Sequence, residues 1–95
     1  MKHYRQGDIL IREIHHIPNA KPLDHRILAY GEATGHTHAL QDGSLFEADG
    51  VLFFSIAAET DLVHQEHAPI TLPPGDYQVV RQKEYTPERI RYVSD

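Results

Sequence analysis

Two short stretches place imidazoles at spacings that suit a metal ion. "GHTH" (35–38) sets His36 and His38 two residues apart, and "HQEH" (64–67) sets His64 and His67 around Glu66. Residues i and i+2 of a strand share a face and lie about 6.6–6.8 Å apart. His36 and His38 on one strand therefore point the same way and can chelate one cation. A third nitrogen from a strand about 4.8 Å to the side completes a set of three. Three histidines and one open position form the catalytic zinc arrangement.

The register of the second stretch selects the third ligand. In "LVHQEHAPITL" (62–72) the even positions are Leu62, His64, Glu66, Ala68, Ile70 and Leu72, and the odd positions are Val63, Gln65, His67, Pro69 and Thr71. The even set is the more apolar and should face the interior. His64 is then the third ligand, with Glu66 on its face. His67 points away unless a bulge intervenes, and Pro69 allows such a distortion. Glu66 has several open roles: a fourth ligand, a general base for metal-bound water, an acceptor orienting an imidazole, or a partner of Arg81 or Lys83. His67 could shuttle protons at the rim. Glu32 at the Gly31–Gly35 turn could gate the site or be solvated, and Thr34 and Thr37 suit turn backbone. His3, His15, His16 and His25 read as surface residues. Glu84 and Tyr85 could form a polar wall or simply pack.

The elements that position these residues are short strands between turns. "QGDILIREI" alternates and reads as a first strand near 7–14; 15–25, with two prolines, reads as a loop. Further strands are expected at 26–32 and 36–40. Asp-Gly at 42–43 and 49–50 predicts tight turns. "VLFFSIAA" (51–58) reads as a strand buried on both faces, 62–72 as one long strand, and "PPGD" (73–76) as a turn. "YQVVRQKEY" and "RIRYV" close the chain around Pro87, and "TPERI" is too short for a helix. Turn signals at this spacing predict one all-β domain over 1–95, a small barrel or sandwich of about seven or eight antiparallel strands.

Composition narrows the function classes. Nine Lys+Arg stand against 14 Asp+Glu, a formal charge of −5, which argues against a nucleic-acid partner held by phosphate neutralisation. The chain has no cysteine, so disulfides, thiolate metal sites and thiol nucleophiles are excluded. No apolar run reaches the length of a membrane span, and "MKHYRQGDIL" does not read as a secretory signal. A cytoplasmic protein with no membrane partner is expected. A 95-residue chain buries roughly two-thirds of its unfolded surface. The two-sided strand "VLFFSIAA" in so thin a core suggests a homo-oligomer.

"GEATGHTHALQDGSLFEADG" resembles the first metal motif of cupins, Gly-x-x-x-x-His-x-His followed by a glutamate and a glycine, here Glu47 and Gly50. "LPPGDYQ" matches the turn of the second cupin motif through Pro73 and Gly75, with Gln78 where that motif has histidine. The distance from His38 to Glu47 is also longer than in cupins. These departures make "HQEH" the source of the missing nitrogen. The whole chain is similar to small bacterial proteins of unassigned function that share a "GE-x-T-G-H-x-H … H-x-E-H-x-P-I … Q-x-E-Y" pattern. Both resemblances imply a compact, cupin-like β-fold holding a metal.

The expected function is a small zinc enzyme acting on a small molecule through metal-bound water, as a hydrolase or lyase. Carbon dioxide hydration is the simplest case, since it requires little substrate recognition. His-x-His with a third histidine on the next strand is similar to the site of α-type carbonic anhydrases, an analogy of site only. Iron, manganese or nickel on the same ligands would suit cupin-type chemistry. The competing expectation is a binding or structural module whose metal is closed by His67 or Glu66 and stabilises the thin core.

Overall fold

A computed structural model describes residues 2–31 and 34–81, together with the backbone of 83–85 and 90–92. Glu32, and the side chains of Lys83, Glu84 and Tyr85, lie outside the described residues, as does most of "TPERI". The chain is all-β. Its strands are β1 (His3–Gln6), β2 (Ile9–Ile14), β3 (Lys21–Leu23), β4 (Ile27–Tyr30), β5 (Thr37–Leu40), β6 (Ser44–Ala48), β7 (Val51–Ile56), β8 (Thr60–Val63), β9 (Ile70–Leu72), β10 (Gly75–Arg81), β11 (Lys83–Tyr85) and β12 (Ile90–Tyr92). β1, β2, β10, β7, β6 and β3 form one sheet in that order, and β4, β5, β8 and β9 a second, while β11 and β12 pair with each other. The two larger sheets make a sandwich, not a closed barrel.

Alternation accounts for the core. Ile9 and Ile11 of β2, Tyr77 of β10, Phe54 and Ile56 of β7 and Leu45 of β6 meet Leu28, Leu40, Leu62 and Leu72 of the second sheet. Of the strand expected to be buried on both faces, Phe54 (0 % exposed) faces this core. Phe53 is also buried, at 8 %, but lies outside the core cluster. The Asp49-Gly50 turn has φ of 51° and 78°, the pair of positive values a two-residue type I′ hairpin requires.

Three boundaries differ from expectation, each for a local reason. The strand placed at 7–14 is β2 of a hairpin, with Gln6 paired to Ile9 across Gly7 and Asp8. Gly7 takes φ 58°, which suits glycine at the first corner of a type II′ turn. The loop expected at 15–25 contains the short edge strand β3, where Pro22 is tolerated. The long strand expected over 62–72 is interrupted: β8 ends at Val63, β9 starts at Ile70, and the two pair as a hairpin. No helix in the described residues is long and apolar enough to cross a membrane.

Candidate metal centre

His38 lies on the inward row of β5 with Leu40, and both are buried. β5 and β8 pair with Ala39 opposite Val63 and Leu40 opposite Leu62. Continuing that register by one step brings His64 across from His38, although β8 has formally ended. The rings stand 4.4 Å apart, centroid to centroid. His36, two residues before His38, sits 5.3 Å from His64 in an edge-on arrangement. The three expected ligands are thus drawn into one cluster, with His64 between the other two.

His67 joins them as well, although strand parity would turn it away. The chain bends after Val63, and the His64 imidazole stabilises that bend: its Nδ1 accepts from the amides of Glu66 (3.0 Å) and His67 (3.3 Å). The bend carries His67 to 4.6 Å from His64 and nearly parallel to His38, at 12° and 6.3 Å. Gln65 fastens the bend to β5 by accepting from the Thr37 amide at 2.9 Å. On the other side, Thr34 accepts from the His36 amide, and Gly31 donates to the His36 carbonyl at 2.7 Å.

Glu66 is at the rim, its side chain 69 % exposed, with Oε1 3.8 Å from Nε2 of His36. At that exposure the pair is worth little as a stabilising ion pair. Arg81, one of the partners considered for Glu66, is instead engaged by Asp8 and by the carbonyl of Tyr30. His3, His15, His16 and His25 are exposed. The residues matched to cupin motifs stand elsewhere: Glu47 is exposed on β6, and Gln78 accepts from Arg12 at 2.7 Å.

Beneath the imidazoles lies a polar group that the histidine pattern alone does not reveal. Gln6 ends β1 and Asp8 sits in the β1–β2 turn, 3 % and 1 % exposed, and both reach His38 from the other sheet. The Gln6 amide donates to the carbonyls of Leu62 and Ala68, both at 3.0 Å, tying together the two ends of the bend that carries His64 and His67. Its oxygen, Oε1, therefore faces Nδ1 of His38 at 2.9 Å. Nε2 of His38 lies 3.2 Å from Oδ1 of Asp8, whose Oδ2 accepts from Arg81 at 2.8 Å. A carboxylate this deeply buried needs such a partner, because an unpaired buried charge is costly. Burial first, and then the neighbouring His64, push the His38 imidazole below its ordinary pKa, with Asp8 acting in the opposite direction. One signal for this group was present in the sequence: "QGDI" is a Gly-Asp hairpin corner, and it carries both residues to one end of the sandwich.

The donor chemistry fits a borderline divalent ion: imidazoles from two segments gathered at a buried ring, with a carboxylate below and another at the rim. Among the described residues, no group of three or more His, Asp or Glu side chains is placed to hold a metal ion. The obstacle at His64 is specific. While Nδ1 accepts two amides, Nε2 carries the proton, so His64 offers no nitrogen lone pair until that bend loosens. A shallow pocket of about 240 Å³, lined by Thr37, Val63, His64 and Gln65, opens beside the cluster. A larger one of about 440 Å³, near residues 23–27, is lined by none of the clustered histidines.

Residues 5–82, most of the chain, match the family described as a domain of unknown function (DUF8820), and the chain belongs to that family. No curated protein and no solved structure matches it.

Proposed function

We propose that this DUF8820 member binds one divalent metal, zinc in the first instance, through His36, His38 and His64, and uses it to act on a small molecule. The observation that carries this reading is the convergence of the three rings at 4.4 and 5.3 Å around His64, from segments distant in sequence. Imidazoles gathered in this way at the end of a hydrophobic core suit a shared cation. A zinc ion with one open position lowers the pKa of coordinated water toward neutrality.

The chain's own groups supply the rest. Glu66, exposed beside His36, is placed to take a proton at the open side and pass it to solvent. His67, half-buried beside His64, is the alternative proton carrier. Carbon dioxide hydration or ester hydrolysis is the proposed lyase or hydrolase chemistry, since the pocket beside the cluster has room for a small substrate. Iron, manganese or nickel on the same residues would favour cupin-type reactions instead. The setting proposed is cytoplasmic, without nucleic-acid or membrane partners. Self-association belongs to the same proposal, with Val80 on β10 exposed at 39 % and available for contact between copies.

A second reading has its own observation. His67 has moved into the cluster, which favours a closed, structural site completed by a fourth imidazole. One set of variants separates the two. In the open centre, Glu66→Gln keeps the metal and loses turnover across a panel of carbon dioxide hydration, ester hydrolysis and oxygen uptake with iron-loaded protein. In the closed one, His67→Ala loses the metal and the panel is silent in the parent. A parent that turns over nothing and keeps its metal in His67→Ala would contradict both.

A further inference from the structure

We infer that Asp8 is itself a ligand of this metal, binding through Oδ1 beside Nε2 of His38; the inference rests on the metal reading above. Hydrogen-bond accounting leads to it. The Gln6 amide nitrogen is committed to two backbone carbonyls, so its orientation is fixed and its oxygen must face His38. Nδ1 of His38 is therefore the donating nitrogen, and the lone pair of the ring sits on Nε2. That lone pair looks directly at Oδ1 of Asp8, another acceptor, with both side chains fully buried. Two such groups, both fully buried and held face to face, call for a shared cation, and a metal ion fills that place as a proton on the ring would.

The spacing suits a metal in that place. Two ligand atoms each about 2.0–2.1 Å from a tetrahedral zinc stand about 3.3–3.4 Å apart. Nε2 and Oδ1 are separated by 3.2 Å. There is also no other way for a metal to reach His38. Binding at Nδ1 would displace Gln6 and release the carbonyls of Leu62 and Ala68, whereas binding at Nε2 brings the ion within reach of Asp8. Arg81 then has a defined role: by donating to Oδ2 at 2.8 Å it holds the carboxylate so that Oδ1 is presented to the ring. His64, stacked obliquely at 4.4 Å from His38, is the nearest imidazole to complete the set.

The test uses the full chain without a histidine tag, as the parent, Asp8→Asn and Asp8→Glu, each checked for cooperative thermal unfolding. Zinc affinity is measured by competition with a chromophoric chelator, and the visible bands of added cobalt(II) report the coordination sphere. Loss of a residue that only supports a ligand costs about 10–100-fold in affinity. The inference expects Asp8→Asn to lose more than about 100-fold, with altered cobalt bands, and Asp8→Glu to recover part of the affinity. Unchanged bands in Asp8→Asn, with affinity kept within about threefold, would overturn it while leaving the metal reading intact. A parent that takes up neither zinc nor cobalt would overturn both. Should Asp8→Asn fail to fold, X-ray absorption on zinc-loaded Glu66→Gln protein decides: a shell that still includes a carboxylate oxygen supports Asp8, and a shell of imidazoles alone removes it.

Discussion

The side-chain oxygen of Gln6 stands 2.9 Å from Nδ1 of His38, and this contact joins the two sheets at the candidate site. Because the same amide donates to Leu62 and Ala68, Gln6 holds the imidazole and the bend beside it in one arrangement. Gln6→Leu removes all three bonds and leaves the buried Leu62 carbonyl, and the part-buried one of Ala68, without this donor. The expected cost is at least about 1–3 kcal/mol, seen as a lower urea midpoint at unchanged slope. A midpoint equal to the parent's would show that the clamp contributes nothing.

Metal uptake should loosen the His64 bend. The amides of Glu66 and His67 now donate to Nδ1 of His64, and that nitrogen must take up a proton if Nε2 is to ligate. Titration with zinc, followed by backbone amide resonances, should shift these two amides and lower their protection against hydrogen exchange. Zinc binding that leaves both amides unmoved would take His64 out of the Nε2 ligand set.

Tyr77 makes alkaline stability predictable. Its ring is fully buried against Phe54, its hydroxyl donates to the Pro73 carbonyl at 2.6 Å, and burial pushes its pKa up to about 12 from 10.0. The folded state thus keeps a proton that the unfolded chain loses first. The stabilisation is complete below pH 10.0 and is lost as pH rises toward 12, by about 2–3 kcal/mol over that interval. Tyr77→Phe should flatten this part of the stability profile. An equally steep decline in the variant would assign it to other groups.

Two glycines should respond differently to alanine. At Gly43, φ is +115° and an added Cβ would lie 2.6 Å from Cγ2 of Ile56 and 3.0 Å from the Ser55 carbonyl. Gly50, at φ +78°, has open space around it. Gly50→Ala should cost only the left-handed backbone strain, about 1–2 kcal/mol, and Gly43→Ala more than that, because packing must also move. Thermal melts of the two variants check the order, and equal losses would contradict the clash at Ile56.

Much of this architecture was readable from local chemistry. Asp49-Gly50 announced a two-residue turn, and the alternation of Ile9 and Ile11 marked the inward row of β2, because strand parity and turn φ are local properties. His64 was selected by the same parity, since Leu62 on its face is a core residue. Parity failed at His67, where an imidazole accepting its own downstream amides ends the strand. Such side-chain-to-backbone bonds compete with the ladder and leave no periodic trace. Gln6 and Asp8 escaped for a different reason. Their partners His38 and Arg81 are distant in sequence, and only the pairing of β2 with β10 and the closure of the sandwich bring them together.

His36, His38 and His64 are proposed to hold one divalent metal. Elemental analysis of tag-free protein, purified without chelators and dialysed against trace zinc, tests it most directly, alongside His36→Ala and His38→Ala. The account predicts one metal per chain in the parent and a large loss of metal in both variants, with His38→Ala the more severe. Substoichiometric metal in the parent that His36→Ala and His38→Ala leave unchanged would contradict it.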